Sequence, residues 1–176
     1  MTYDFTYIVG GVDASEDAFE DRFFEAGCDD AVIVWTNNAL ALCFSREADT
    51  YQGAVLSAYK DLVDAAFSIV RFEPDYLVNA TDIAERSGLS KQTISNYERG
   101  LRASNYPKPY ARITSPSPLW DWVEVSRWLC VNDKIQEREF RQAQVSRLVN
   151  VGVQLKSAPD AIGTQVYGAL CEPLAA

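Results

Sequence analysis

The chain has 176 residues, of which 48% are apolar and 23% charged, the balance of a folded globular protein and not of a disordered one. It contains no histidine, which excludes Ser-His-Asp triads, Cys-His zinc sites and imidazole acid/base chemistry. The net charge of −9 is unevenly spread: residues 1–78 carry 15 acidic and 4 basic side chains, and residues 79–113 carry 3 acidic and 6 basic.

From Thr2 to Val9 the chain alternates, with Tyr3, Phe5, Tyr7 and Val9 on one face, the pattern of a half-buried strand. Gly10-Gly11 then turns the chain; neither G-x-G-x-x-G nor a Walker lysine accompanies it, so no phosphate loop or cofactor is expected. Ser15 is placed to cap a helix that carries Phe19 and Phe23 one turn apart, with Gly27 to end it. The apolar runs Ala31–Trp35 and Ala39–Phe44, separated by Thr36-Asn37-Asn38, predict a hairpin. Val55, Tyr59, Leu62, Val63 and Ala66 predict a second helix from near Thr50, and Ser68–Phe72 a last strand before Pro74.

Strand, helix, strand, strand, helix, strand predicts a ferredoxin-like βαββαβ domain over residues 1–74, with a four-stranded antiparallel sheet and both helices on one face. Its sharpest feature is acidic: Asp13, Glu16, Asp17, Glu20, Asp21, Glu25, Asp29 and Asp30. This is either a solvated helix face or a surface for a basic protein partner.

The basic island follows. Thr81 or Asn79 can cap a helix to about Arg86, with Ala84 small at the helix crossing and Gly88 in the tight turn. Ser90 caps a second helix that ends at Gly100, with Leu89, Ile94 and Tyr97 expected to pack on Ile83 and Leu77. The other face carries Lys91, Gln92, Thr93, Ser95, Asn96 and Arg99, side-chain types that bond base edges and phosphates. Of the later tryptophans, Trp120 and Trp128 are expected in the core, and the position of Trp122 fits either environment.

The matches Ala84, Gly88, Leu89, Ser90, Thr93, Ile94 and Tyr97, then Tyr106-Pro107-Lys108-Pro109, Trp120 and Glu124-Val125-Ser126-Arg127-Trp128-Leu129, give the segment a named likeness. It resembles the winged helix-turn-helix of the AlpA/excisionase-like group within the MerR-like superfamily, over about 55 residues. The resemblance implies sequence-specific binding of double-stranded DNA by residues 75–131, with the second helix in the major groove and a wing at 102–118. It adds Arg102, Lys108 and Arg112 to Ser90 and the polar helix face as candidate DNA contacts. The acidic N-terminal unit and the Ser115-Pro116-Ser117-Pro118 stretch depart from the family pattern.

Residues 132–176 predict C-terminal helices: one over 133–155, capped by Asp133 and carrying Ile135, Phe140, Ala143, Val145, Leu148, Val149 and Val151, and a shorter one over 159–171. The apolar stripe is too short for a coiled coil. It suits either a homodimer interface between two antiparallel chains or packing on its own domain. Cys28, Cys43, Cys130 and Cys171 form no C-x-x-C pair, so no metal cluster is expected and reduced thiols are. No apolar run approaches the roughly 20 residues of a membrane span, and MTYDFTYIVGG lacks a secretory signal. The expectation is an α+β cytoplasmic, bacterial or phage-type transcriptional regulator, not an enzyme. The alternative is an antitoxin-like or adaptor protein whose acidic domain covers a basic partner.

Overall fold

The computed structural model describes residues 1–11, 19–102 and 104–157. Strand β1 (Thr2–Gly10) turns Phe5, Tyr7 and Val9 into a core, as its alternation predicts. Helix α1 (Phe19–Glu25) follows, and Gly27 ends its turn at φ 83°. Strands β2 (Ala31–Thr36) and β3 (Ala39–Glu47) form the hairpin. Its connection is Asn37-Asn38, at φ 48° and 62°, the twist a two-residue hairpin needs and asparagine tolerates.

Helix α2 (Tyr51–Asp64) starts where Thr50 Oγ1 accepts the Gly53 N–H at 3.0 Å. It ends with Ala66 at φ 60° and the Phe67 N–H donating to the Leu62 carbonyl at 2.9 Å, a left-handed stop with alanine where glycine is usual. Of the expected helical stripe, Val63 therefore lies exposed on the last turn and Ala66 lies beyond it. Strand β4 (Ser68–Glu73) closes an antiparallel sheet of order β2-β3-β1-β4. Register sets Phe5 opposite Phe44, and Tyr7 opposite both Leu42 and Phe72. Phe23 from α1 and Ala54, Val55, Ala58 and Leu62 from α2 complete that core. Each large side chain fully withdrawn from water there contributes about 1.5–3 kcal/mol. The Ser15 cap and the Phe19 side chain lie outside the described residues.

The second unit begins at β5 (Leu77–Val78), then α3 (Ala80–Ser87) and α4 (Lys91–Glu98). After a long connection come β6 (Trp120–Asp121), α5 (Trp122–Val131) and α6 (Glu137–Lys156). Val78, opposite Trp120 in the β5–β6 pair, takes the core place expected of Leu77, which sits on the half-exposed side of the same strand. Trp122 is buried, at 5% exposure, and Trp128 is only half-buried. Trp122 opens a helix, so strand parity with Trp120 does not govern it; the Arg86 guanidinium lies 5.6 Å from its ring centre. Asp133 is no cap: it sits at φ 54° in the connection, and α6 begins after Gln136 with no side-chain cap bond. The expected helix over 159–171 lies outside the described residues.

Helix α6 joins the two cores. Val145 and Val149 pack on the first and Ala143 on the second. Buried Asn150 donates to the Phe72 carbonyl and accepts the Phe72 N–H, both at 2.9 Å. Because β4 is an edge of the sheet, this amide does there what a fifth strand would do. Arg147 Nη1 lies 3.1 Å from the buried Asp121 carboxylate, which also caps α5 by accepting the Val123 N–H at 2.8 Å. Among the described residues no helix is long and apolar enough to cross a membrane.

Candidate functional site

Short-range signals build the α3–α4 pair. Asn79, not Thr81, caps α3: its Oδ1 accepts the Thr81 and Asp82 N–H groups at 2.7 and 3.1 Å, and Asp82 Oδ2 accepts the Asn79 N–H at 2.8 Å. That reciprocal box closes both orphan donors. Gly88 turns the chain at φ 68°, and a Cβ there would meet nothing within 4 Å. Backbone angle, not space, is the reason for glycine. Ser90 Oγ accepts the Thr93 N–H at 3.1 Å and sits 2.8 Å from the Thr93 hydroxyl. Ser90 and Thr93 therefore spend their hydroxyls on the start of α4.

Ile94 and Tyr97 turn inward, leaving Lys91, Gln92, Ser95, Asn96 and Arg99 on the outer side. Gln92 Nε2 donates to Asn96 Oδ1 at 3.1 Å, and Arg99 Nη2 donates to Ser95 Oγ at 2.8 Å. These one-turn bonds order the face while leaving the Gln92 carbonyl, the Asn96 amide donors and most of the Arg99 fork for a partner.

The segment after α4 is anchored from below. Tyr106 packs between Tyr97 and Trp128, with ring centres 5.7 and 5.1 Å away. Trp120 Nε1 donates to the Pro107 carbonyl at 3.1 Å. Ala111 and Leu119 exchange backbone bonds of 3.0 and 2.9 Å, and the Ser115 N–H returns to the Arg112 carbonyl at 2.9 Å. The result is a loop closed by a single antiparallel bridge, with Arg112 exposed on it and Arg102 and Lys108 exposed before it. No hydrogen bond among the described residues joins these three, or Lys91, to the outer face of α4. Leu101, Tyr110 and Ile113 are exposed on the same segment. Sequence reading passed over them, because single apolar residues in a Pro- and Ser-rich stretch carry no periodic signal.

Charge state separates this region from the rest. Arg99, Arg102 and Arg112 make no ion pair among the described residues. Arginines 46, 71, 127, 138, 141 and 147 all pair with carboxylates, and Arg22 lies over the Phe67 ring. Arg86, although in the basic island, donates to the Asp75 carbonyl at 2.6 Å, and burial pushes its pKa down.

The acidic unit is divided in the same way. Glu20, Asp21, Glu25 and Asp29 are exposed, but Asp30 is turned inward. Its two oxygens accept from Arg46 Nε and Nη2 at 2.7 and 2.9 Å, and Asp61 accepts from Nη1 at 2.6 Å. Asp30 first, then Asp61, holds Arg46 charged well beyond its ordinary range against the cost of its burial. Asp13, Glu16 and Asp17 lie outside the described residues. Burial pushes the nearby Cys28 thiol up to about 11, which leaves it protonated and unreactive near neutral pH.

Compared with known proteins, the chain stands apart. It matches no protein-family model, no curated protein and no solved structure.

Proposed function

We propose that the chain is a sequence-specific double-stranded-DNA-binding regulator, with a winged helix-turn-helix of the AlpA/excisionase-like kind. Helix α4 enters the major groove, and Gln92, Ser95 and Asn96 bond base edges. Lys91, Arg99, Arg102, Lys108 and Arg112 hold phosphates, the last three from the 102–118 wing. The observation that carries the reading is the set of exposed arginines at 99, 102 and 112 that make no ion pair among the described residues, in a chain of net charge −9 whose other arginines are engaged. Capping of α3 and α4, the Gly88 turn and the loop tied down by Tyr106 support the same reading. The N-terminal unit is read as ferredoxin-like on its strand order β2-β3-β1-β4, and it senses, dimerises or docks.

The test is selection of bound duplexes from a random pool by the full chain near physiological salt, beside a Gln92→Ala, Asn96→Ala variant. A recovered motif that blurs in the variant is expected. Failure to enrich any sequence overturns the reading. A second reading rests on the exposed carboxylates Glu20 and Asp21 of α1, which suit a basic protein partner. It requires a copurifying basic protein that is lost when both are reversed to lysine.

A further inference from the structure

Helix α6 has two faces of different fate. Ala143, Ser146, Asn150 and Val153 are buried against the rest of the chain. On the opposite side Arg141, Gln144, Leu148, Val151 and Leu155 follow one another at spacings of three and four, which places them in one line along the helix. Leu148 is 71% exposed, Leu155 51% and Val151 38%, far more than a helix of a monomer needs to show. An open groove of about 1070 Å³ lies between α2 and α6; Arg141, Gln144 and Leu148 of this line are among its lining, with Leu56 and Tyr59 of α2. Val151 and Leu155 continue the apolar line outside it, so ridge and groove meet at Leu148 on one surface. That is what a two-fold interface requires, since each copy must offer both halves of the contact.

We infer that this surface binds a second copy of the same chain, with the two α6 helices antiparallel and crossing at Leu148. The charge pattern selects that direction. Arg141 and Leu155 lie seven residues to either side of Leu148, with Gln144 four before it and Val151 three after. Antiparallel packing lays the aliphatic stem of Arg141 over the partner copy's leucine at the equivalent of position 155. It also carries the guanidinium toward the other helix's last carbonyls, the negative end of its dipole. Glu137, 2.7 Å from Arg141, then comes within a turn of the other copy's lysine at the equivalent of position 156. Parallel packing would set each Glu137–Arg141 pair against the same pair of the other copy and leave the Arg141 stem without the other copy's leucine to cover. The occupied surface is made of α2 and α6 and the proposed DNA contacts of α4 and its wing, so this inference stands or falls separately from the DNA reading.

Sedimentation of the full chain tests it. The expected result is a dimer, and Leu148→Asp, Leu155→Asp is expected to weaken it about 100-fold; at concentrations where both chains are monomeric the circular-dichroism melts should coincide, because both side chains face water in the monomer. Orientation is read by single-cysteine crosslinking, scored against the parent chain's own background. Leu148→Cys joins two copies in either orientation, whereas Arg141→Cys joins them only in a parallel pair. A chain that stays monomeric at high concentration overturns the proposal. A dimer indifferent to the aspartates does so too, and would move the interface elsewhere, with the exposed sheet residue Val32 as the next place to probe. Efficient Arg141→Cys crosslinking overturns the antiparallel arrangement.

Discussion

Arg46 in the sheet unit and Arg102 after α4 are the same side chain put to opposite uses. Arg46 is drawn almost wholly out of water and answered on every side by Asp30, Asp61, Ser57 and the Gly27 carbonyl. Arg102 is exposed and makes no ion pair among the described residues. The first unit closes its arginine with its own carboxylates, and the segment after α4 leaves Arg102 and Arg112 outside any such network among the described residues. An ordered charge left without an internal partner is a sign of an external one, where a closed network is a sign of stability.

The largest expected effect comes from opening the closed network. Arg46→Ala leaves two part-buried carboxylates facing each other and should cost about 2–4 kcal/mol, less than a fully buried pair because both acids retain some water. Urea unfolding at pH 7 reads this. A loss under half a kcal/mol would show the network to be ornamental. Asn150→Leu comes next. It strips partners from both the N–H and the carbonyl of buried Phe72 and should cost about 2–3 kcal/mol, in the same measurement.

The open side is probed by Arg102→Ala, which should leave stability within about half a kcal/mol. It should weaken all duplexes alike and flatten the salt dependence of binding by about one unit. Gln92→Ala should instead relax preference at one or two base positions with the slope nearly unchanged. An unaltered slope in the arginine variant would strike Arg102 from the phosphate contacts.

The smallest effect sharpens the comparison most. Tyr7 and Tyr106 are both tyrosines whose ionisation is pushed up, chiefly by desolvation. Each therefore contributes stability below the ordinary phenol range that is lost as pH rises above about 10. Tyr7 donates to the Val55 carbonyl at 2.9 Å, whereas the buried Tyr106 hydroxyl has no partner among the described residues. Tyr7→Phe should cost about 1 kcal/mol, and Tyr106→Phe should cost nothing or stabilise by up to about 1 kcal/mol. Equal losses at both positions would mean that the Tyr106 hydroxyl has found a water to bond.

What the sequence made legible was short-range. The Asn37-Asn38 hairpin, the helix start near Thr50, the Ser90 cap, the Gly88 turn and the outward face of α4 all depend on residues within four positions of one another. Features set by distant partners were not legible. Asn150 meets Phe72 across 78 positions, and nothing in a run of Arg, Leu, Val and Asn marks one amide as the cover of a sheet edge. Asp30 reads as one more acid in an acidic cluster until Arg46, sixteen residues on, is folded against it. Asp133 has the residue type of a cap, but the left-handed turn at that position delays α6 by three residues.

The position of α6 bears on portability. A helix-turn-helix is commonly thought of as a cassette that can be cut out and moved. Here a fragment beginning at Tyr76 would keep α6 but lose Phe72, the only pairing partner of the Asn150 amide among the described residues, together with the apolar surface beneath Val145 and Val149. Such a fragment would carry an uncovered helix face, and its solubility would suffer before the α3–α4 pair did. The sheet unit is thus scaffold to the region that follows it, whatever else it binds.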